Sequence, residues 1–259
     1  MISVIIPALN EEEQIEATLR SLSSQSLEKE SYEIIVVDGG SDDGTVEIAE
    51  EYAQRVIIQT HPGIGGARRD GARIASGRIL AFTDADTAFP RGWLEVISRN
   101  LEQHEASTGP VIFRGGDLRA EILRAWRSSY RLLNAFNFCY MIGSNMAMRS
   151  EMYRRAGGHR EISLLDDYDL SMKLFKIRAD AVYDPDQAVY TSSRRAHKLL
   201  TYGVTVAYGH YNYAVTKDYE KLLNYPNVEE MTVKDILNGI RWGRGIVSAV
   251  ETVQSTLKR

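Results

Sequence analysis

The chain has one cysteine, Cys139, among 259 residues. That excludes an intrachain disulfide and a thiolate metal cluster, and it fits a reducing compartment. Long apolar runs are also missing. No window approaches the roughly 18 apolar residues that a membrane span needs, so any membrane contact has to be peripheral. The N-terminus enters Ile2-Ser3-Val4-Ile5-Ile6 directly, with no basic stretch or long apolar region of the signal-peptide kind. A cytoplasmic location, peripheral at most to the membrane's cytoplasmic face, is the resulting expectation. Basic excess is absent too: the formal net charge is -4, which argues against nucleic acid as a partner. There is no low-complexity segment, no internal repeat and no Pro/Gly/Ser-rich linker, so no sharp domain boundary is marked.

With 44% hydrophobic and 25% charged residues, the composition is that of a globular protein able to bury a substantial core. Val4–Ile6 and Ile34–Val37 are short β-branched runs, each followed by a polar turn and then by helix-like spacing, the βαβ rhythm of a parallel sheet. Residues 55–59 and 78–83 continue it, with a helix predicted from Gly65 to Ala75 between them. Four parallel strands are expected by residue 84, with Asn10 and Ser41 or Asp42 as helix N-caps. Further on, Thr108–Phe113 reads as a strand, Arg119–Asn134 as an amphipathic helix, Met141–Met148 as extended and Asp166–Arg178 as a helix. Val182-Tyr183 and Ala188–Tyr190 are further apolar runs. Beyond them, apolar residues from Val233 to Leu257 recur at helical spacing. This tail is net positive and tyrosine-rich, a candidate membrane-surface or homodimer interface, with packing against the rest of the chain the favoured reading.

In a doubly wound sheet, ligands bind beyond the carboxyl ends of the strands, where strand order reverses. The polar clusters fall there: Pro7-Ala8-Leu9-Asn10-Glu11 after the first strand, Asp38-Gly39-Gly40-Ser41 after the second, Asp84-Ala85-Asp86 after the fourth. Asp84 and Asp86 put two carboxylates on one side of an extended segment, a donor set suited to Mg2+ or Mn2+ completed by phosphate oxygens. A capped turn would use aspartate in the same way. Gly63–Arg69 fails the dinucleotide fingerprint because Arg68 stands where the last glycine belongs. It reads better as a helix start presenting Arg68 or Arg69 to a phosphate. Asp166-Asp167-Tyr168-Asp169 opens a helix, where acids favour the macrodipole; crowded carboxylates also raise one another's pKa, as a general base would require.

Together these segments resemble the family 2 glycosyltransferases, which have the GT-A fold, over roughly residues 2–195. Val4–Glu12 is similar to that family's opening strand and base-binding loop, and Val36–Thr45 to its second motif, in which Asp38 would meet the nucleobase. Gly65–Gly71 corresponds to its glycine-arginine segment, with Arg68 on the phosphate side. The resemblance implies Asp84 near ribose and metal, Asp86 as main metal ligand, Gly143-Ser144-Asn145 beside sugar and acceptor, and Asp167 as catalytic base. Departures are Asp166, where the family often has Glu, Leu9, which removes an aromatic surface for the base, and Tyr168.

The expected architecture is therefore α/β: a GT-A, Rossmann-like, mixed but mainly parallel sheet flanked by helices. Residues 1–195 would form the catalytic domain, 1–105 its nucleotide-binding half and 106–195 its acceptor-binding half, with 196–259 a helical C-terminal extension. The expected activity is inverting, metal-assisted sugar transfer from a nucleotide sugar, UDP-linked before GDP-linked, to a hydroxyl or phosphate of a glycan, lipid phosphate or small molecule. Arg194 and Arg195 are candidates for reaching a phosphate. A nucleotidyltransferase making the sugar nucleotide is the alternative, although it would show a glycine-rich basic loop after the first strand. An inactive sugar-nucleotide-binding protein is a third reading.

Overall fold

In the computed structural model the described residues are 1–113, 138–192, 205, 206 and 208–223. The helix expected at Arg119–Asn134, the apolar tail stripe, Arg194 and Arg195 lie outside them.

Among the described residues ten strands build two sheets: β1 Ile2–Ala8, β2 Tyr32–Asp38, β3 Arg55–Ile58, β4 Ile79–Phe82, β5 Thr87–Ala88, β6 Ala106–Thr108, β7 Val111–Phe113, β8 Met146–Arg149, β9 Ala181–Tyr183 and β10 Val189–Thr191. The helices are α1 Glu12–Ser23, α2 Thr45–Tyr52, α3 Gly63–Ile74, α4 Trp93–Gln103, α5 Ser150–Arg155 and α6 Asp166–Lys176. The larger sheet runs β3-β2-β1-β4-β8-β6-β9. Its first four strands are parallel, β8 is antiparallel to β4 and β6, and β6 and β9 are parallel. The smaller sheet is β5-β10-β7. Mixed, mainly parallel and helix-flanked, the sheet is the architecture expected.

β1 and β2 are interior strands, buried along nearly their whole length, which is why they read as unbroken apolar runs and not as alternating ones. Successive side chains still point to opposite faces. Val4 and Ile6 join Ile15, Leu19 and Leu22 of α1 in one cluster. Ile5 joins Ala67 of α3, Phe82 and Leu170 of α6 in the other. The strand order reverses between β1 and β4, so the crevice expected for a ligand opens at their carboxyl ends.

Several boundaries differ from the sequence reading. Thr108–Phe113 is two strands in different sheets. The chain breaks at Gly109-Pro110, where a Cβ on Gly109 would stand 2.3 Å from the Gln187 carbonyl oxygen and proline has no N–H for a ladder. In the Met141–Met148 segment strand begins only at Met146 and runs on to Arg149; residues before it turn, closed by Asn145 N–H to the Ile142 carbonyl at 2.8 Å. α3 begins at Gly63, two residues earlier than expected. Asn10 caps no helix; in a left-handed conformation it accepts the Asp42 N–H at 3.0 Å and ties the first loop to the second. α2 starts at Thr45 after Gly44, so Ser41 and Asp42 are not its cap.

After β10 the described segment 208–223 folds back on α6. Leu222 is buried with Ile162, Leu164 and Leu165, and its carbonyl accepts the N–H groups of Ser163 and Leu164 at 2.7 and 3.0 Å. This part of the expected extension packs against the sheet domain. Among the described residues no helix is long and apolar enough to cross a membrane.

Candidate functional site

The turns that follow β1 and β4, at the switch point, enclose a cleft of about 650 Å³. Pro7, Ala8, Leu9 and Glu11 form one wall and Asp84, Ala85 and Asp86 another. Gly39, from the loop after β2, adds to it. A further wall that no sequence motif marks is formed by Gln59, Thr60, His61 and Pro62, the loop after β3. The rule that singled out the other three loops applies to it equally, since it too leaves the carboxyl end of a parallel strand. Ser163 and Leu223 close the cleft from loops whose approach no local pattern announced.

His61 is held by a buried carboxylate beneath it. Asp70 accepts the backbone N–H groups of Thr60 and His61 at 2.6 and 2.9 Å and the Thr60 hydroxyl at 2.9 Å, and lies 2.5 Å from His61 Nδ1. Burial opposes ionisation of Asp70, but these hydrogen bonds outweigh it and bring its pKa down to about 2.

Asp84-Ala85-Asp86 is a turn between β4 and β5, not the extended segment expected. It is pinned from outside: Thr18 donates its hydroxyl to the Ala85 carbonyl at 2.7 Å, and Thr191 to Asp86 Oδ1 at 3.2 Å. Two oxygen donors at a cleft wall suit a hard dication. Among the described residues no group of three or more His, Cys, Asp or Glu is placed to hold a metal ion by itself.

Behind the turn sits Arg68, only 2% exposed although it is charged. Its Nη2 donates to Asp84 Oδ1 at 2.7 Å and to the Gly143 carbonyl at 3.1 Å, and its Nη1 donates to Asp166 Oδ2. The guanidinium expected to face a phosphate therefore points inward and clamps two carboxylates. A Cβ at Gly143 would stand 3.0 Å from both Arg68 terminal nitrogens, so any larger residue there would press on the guanidinium. Asp166 is 5% exposed, and burial lifts its pKa to about 6, against the pull of Arg68 and with a push from Asp167. His159 lies beside it, its Nε2 3.9 Å from Asp166 Oδ2; burial first, then Arg68 and Lys173, hold this imidazole neutral.

The three acids of α6 point three ways. Asp169 is buried against Lys173, Arg160 and the Tyr213 hydroxyl. Asp166 meets Arg68. Asp167 is half-buried and accepts the Tyr140 hydroxyl at 3.2 Å, the Gly143 N–H at 3.2 Å and the Tyr168 N–H at 2.7 Å. Gly143 thus joins Arg68, through its carbonyl, to Asp167, through its N–H. Leu165, immediately before these acids, is left-handed at φ 66°, a conformation costing about 1 kcal/mol that its buried packing on Leu222 sustains. Nothing in the sequence signalled Tyr140 or the twist at Leu165, since both depend on neighbours far along the chain.

Other expected contacts do not face the cleft. Asn145 is fully buried, and Trp93 Nε1 at 3.0 Å, the Pro110 carbonyl at 3.2 Å and the Gln187 carbonyl occupy its amide, which makes it a strut and not a sugar contact. Ser144 is buried as well, its carbonyl accepting the Thr83 hydroxyl at 2.9 Å. Asp38 is 1% exposed and accepts the Gly40 and Ser41 N–H groups at 2.9 and 3.1 Å, shaping the second loop from within. Asn10 and Gly40 are exposed and are not among the residues that line the cleft.

The profile described as "Glycosyl transferase family 2" matches residues 3–157. The PGL/p-HBAD biosynthesis glycosyltransferase of Mycobacterium bovis is 30% identical over 189 residues, which are 68% of this chain and 70% of that protein. Glycosyltransferase AglE of Haloferax volcanii is 42% identical over 100 residues, 36% of this chain and 33% of that protein. The match thus spans about a third of the length of AglE, and 31% of a glycosyltransferase EpsJ from Bacillus subtilis. Among solved structures, S. aureus TarS in complex with UDP-GlcNAc superposes with a TM-score of 0.63 at 18% identity, covering 92% of this chain and 79% of that one. The mannosyltransferase PcManGT from Pyrobaculum calidifontis, in complex with GDP-Man and Mn2+, does so with 0.63 at 19% identity, covering 99% and 79%. At such identities the likeness is one of fold.

Proposed function

The chain belongs to glycosyl transferase family 2, and from that premise we propose that it moves a sugar from a nucleoside-diphosphate sugar, UDP-linked in preference to GDP-linked, to a hydroxyl or phosphate of its acceptor, with inversion. One observation carries the reading: the loops after all four parallel strands converge on a single cleft that ends at the Asp84–Asp86 turn. The similar folds solved with UDP-GlcNAc and with GDP-Man and Mn2+ support a nucleotide sugar there.

Asp84 and Asp86 would hold Mg2+ or Mn2+, which when bound would supply positive charge to neutralise a diphosphate leaving group. Arg68 serves this pair from behind. By clamping Asp84 and Asp166 it fixes the turn and the start of α6 relative to each other, a positioning role in place of direct phosphate contact. Asp167 takes the proton of the acceptor hydroxyl as that oxygen attacks the anomeric carbon; three hydrogen bonds aim its carboxylate. The C–O bond to the diphosphate breaks as the new one forms, so one base suffices, whereas a retaining route needs a second, nucleophilic carboxylate. Catalytic domain 1–195, extension 196–259, a cytoplasmic setting and a glycan, lipid-phosphate or small-molecule acceptor complete the proposal.

The test is calorimetric titration of UDP, GDP and their sugars with Mn2+ or with EDTA, alongside Asp86→Asn. UDP binding that requires Mn2+ and is lost in the variant is expected. Tight binding that ignores both would refute the assignment of the pair.

A further inference from the structure

A second cavity, about 550 Å³, opens between α3 and α5 and shares no lining residue with the nucleotide cleft. It lies toward the other end of the sheet: Arg78 stands just before β4, whereas the cleft lies just after it. Four arginines converge on it, Arg69 and Arg73 from α3, Arg78 from the approach to β4 and Arg154 from the last turn of α5. No carboxylate is among its lining residues, although Asp and Glu outnumber Lys and Arg in the chain, 35 to 31.

All four side chains are exposed. Arg69 lies 2.9 Å from Glu161 in a pair that water screens from both sides, and Arg73 is 4.0 Å from Asp70. Among the described residues Arg78 and Arg154 have no ion-pair partner. Cations are favoured in the last turn of a helix, and that accounts for the sign of Arg73 and Arg154. It does not account for Arg69 and Arg78, or for the gathering of all four around one hollow. A sphere of this volume is about 10 Å across, comparable to the Debye length at 0.1 M salt, so these charges feel one another. An anion seated among them would relieve that repulsion.

We propose that this cavity is a second anion site, independent of the nucleotide cleft, which takes a phosphate-bearing ligand. Planar guanidinium forks match phosphate oxygens in bidentate fashion. Ser76 and Ser150 add hydroxyls to the wall. The phosphate belongs either to a soluble molecule or to a lipid headgroup, and these differ in how they are presented to the hollow.

The full chain is titrated with inorganic pyrophosphate in EDTA, which silences cation-dependent binding at the other cleft. In parallel it is sedimented with vesicles of phosphatidylglycerol and phosphatidylcholine, and with vesicles of phosphatidylcholine alone. Binding of pyrophosphate identifies a soluble ligand; binding confined to the anionic vesicles identifies a headgroup. In either case Arg78→Glu/Arg154→Glu should weaken binding about ten-fold or more, as expected when charge-assisted hydrogen bonds are lost. The milder Arg78→Gln/Arg154→Gln should show the same direction if the charge reversal perturbs folding. Failure of the wild-type chain to bind either probe overturns the proposal, as does undiminished binding by a variant with an unchanged melting temperature.

Discussion

Replacing Arg68 with methionine keeps the bulk of its stem and removes only the guanidinium. Arg68 is 2% exposed and sits between Asp166, 5% exposed, and Asp84, while also serving the Gly143 carbonyl. Losing one partner of a buried ion pair leaves an uncompensated carboxylate and costs about 3–5 kcal/mol. The orphaned Gly143 carbonyl adds about 1 kcal/mol. The total, about 4–6 kcal/mol, is a large part of the roughly 5–15 kcal/mol that holds a typical domain together. The loss depends on pH. The Asp166 pKa is raised to about 6 from 3.8, so its protonated form is favoured by folding; the stability this contributes is complete below pH 3.8 and is lost as pH rises through about 6. Without Arg68 the folded value climbs further, and the deficit of the variant grows from pH 5 to pH 8. Urea unfolding at these two pH values measures it, with Arg68→Met/Asp166→Asn closing a double-mutant cycle in which the second change restores part of the loss at pH 8. A deficit below about 1 kcal/mol at pH 8, or one that does not shrink at pH 5, would show that the clamp is not what orders these acids.

Two further outcomes follow from the site. Asp167→Asn should lower turnover by about 10²–10⁴-fold while leaving donor binding nearly unchanged by calorimetry; near-normal turnover would remove Asp167 as the base. Asp70, with a folded pKa of about 2 against 3.8, supplies about 2 kcal/mol that is present above pH 3.8 and lost as pH falls through 2. Asp70→Asn should therefore flatten the acid limb of stability measured by urea unfolding between pH 2 and 5, and an unaltered limb contradicts the role given to the hydrogen bonds from Thr60 and His61.

The elements most legible in the sequence were those with the strongest local pattern. β1, β2 and β4 are apolar runs, each leading into a polar turn, and the turn chemistry of Pro7–Glu11, Asp38–Ser41 and Asp84–Asp86 placed these loops at the carboxyl ends of parallel strands. Local pattern failed where a partner distant in sequence decides the conformation. Thr108–Phe113 divides between two sheets because Gly109 must pass the Gln187 carbonyl, and Met141–Asn145 turns because Thr108, Trp93 and Gln187 take up its polar groups.

Sequence alone determined that a parallel α/β sheet would gather acidic and glycine-bearing loops at one crevice, because hydrophobic periodicity and turn residues are properties of short segments. Tertiary structure decided which acid does what. Asp166, Asp167 and Asp169 are near neighbours of one chemical kind, yet one is clamped by Arg68 from α3, one held by Tyr140 and Gly143, and one spent on Arg160, Lys173 and Tyr213. Charge state and reach follow from those partners, which the fold brings from up to 98 residues away.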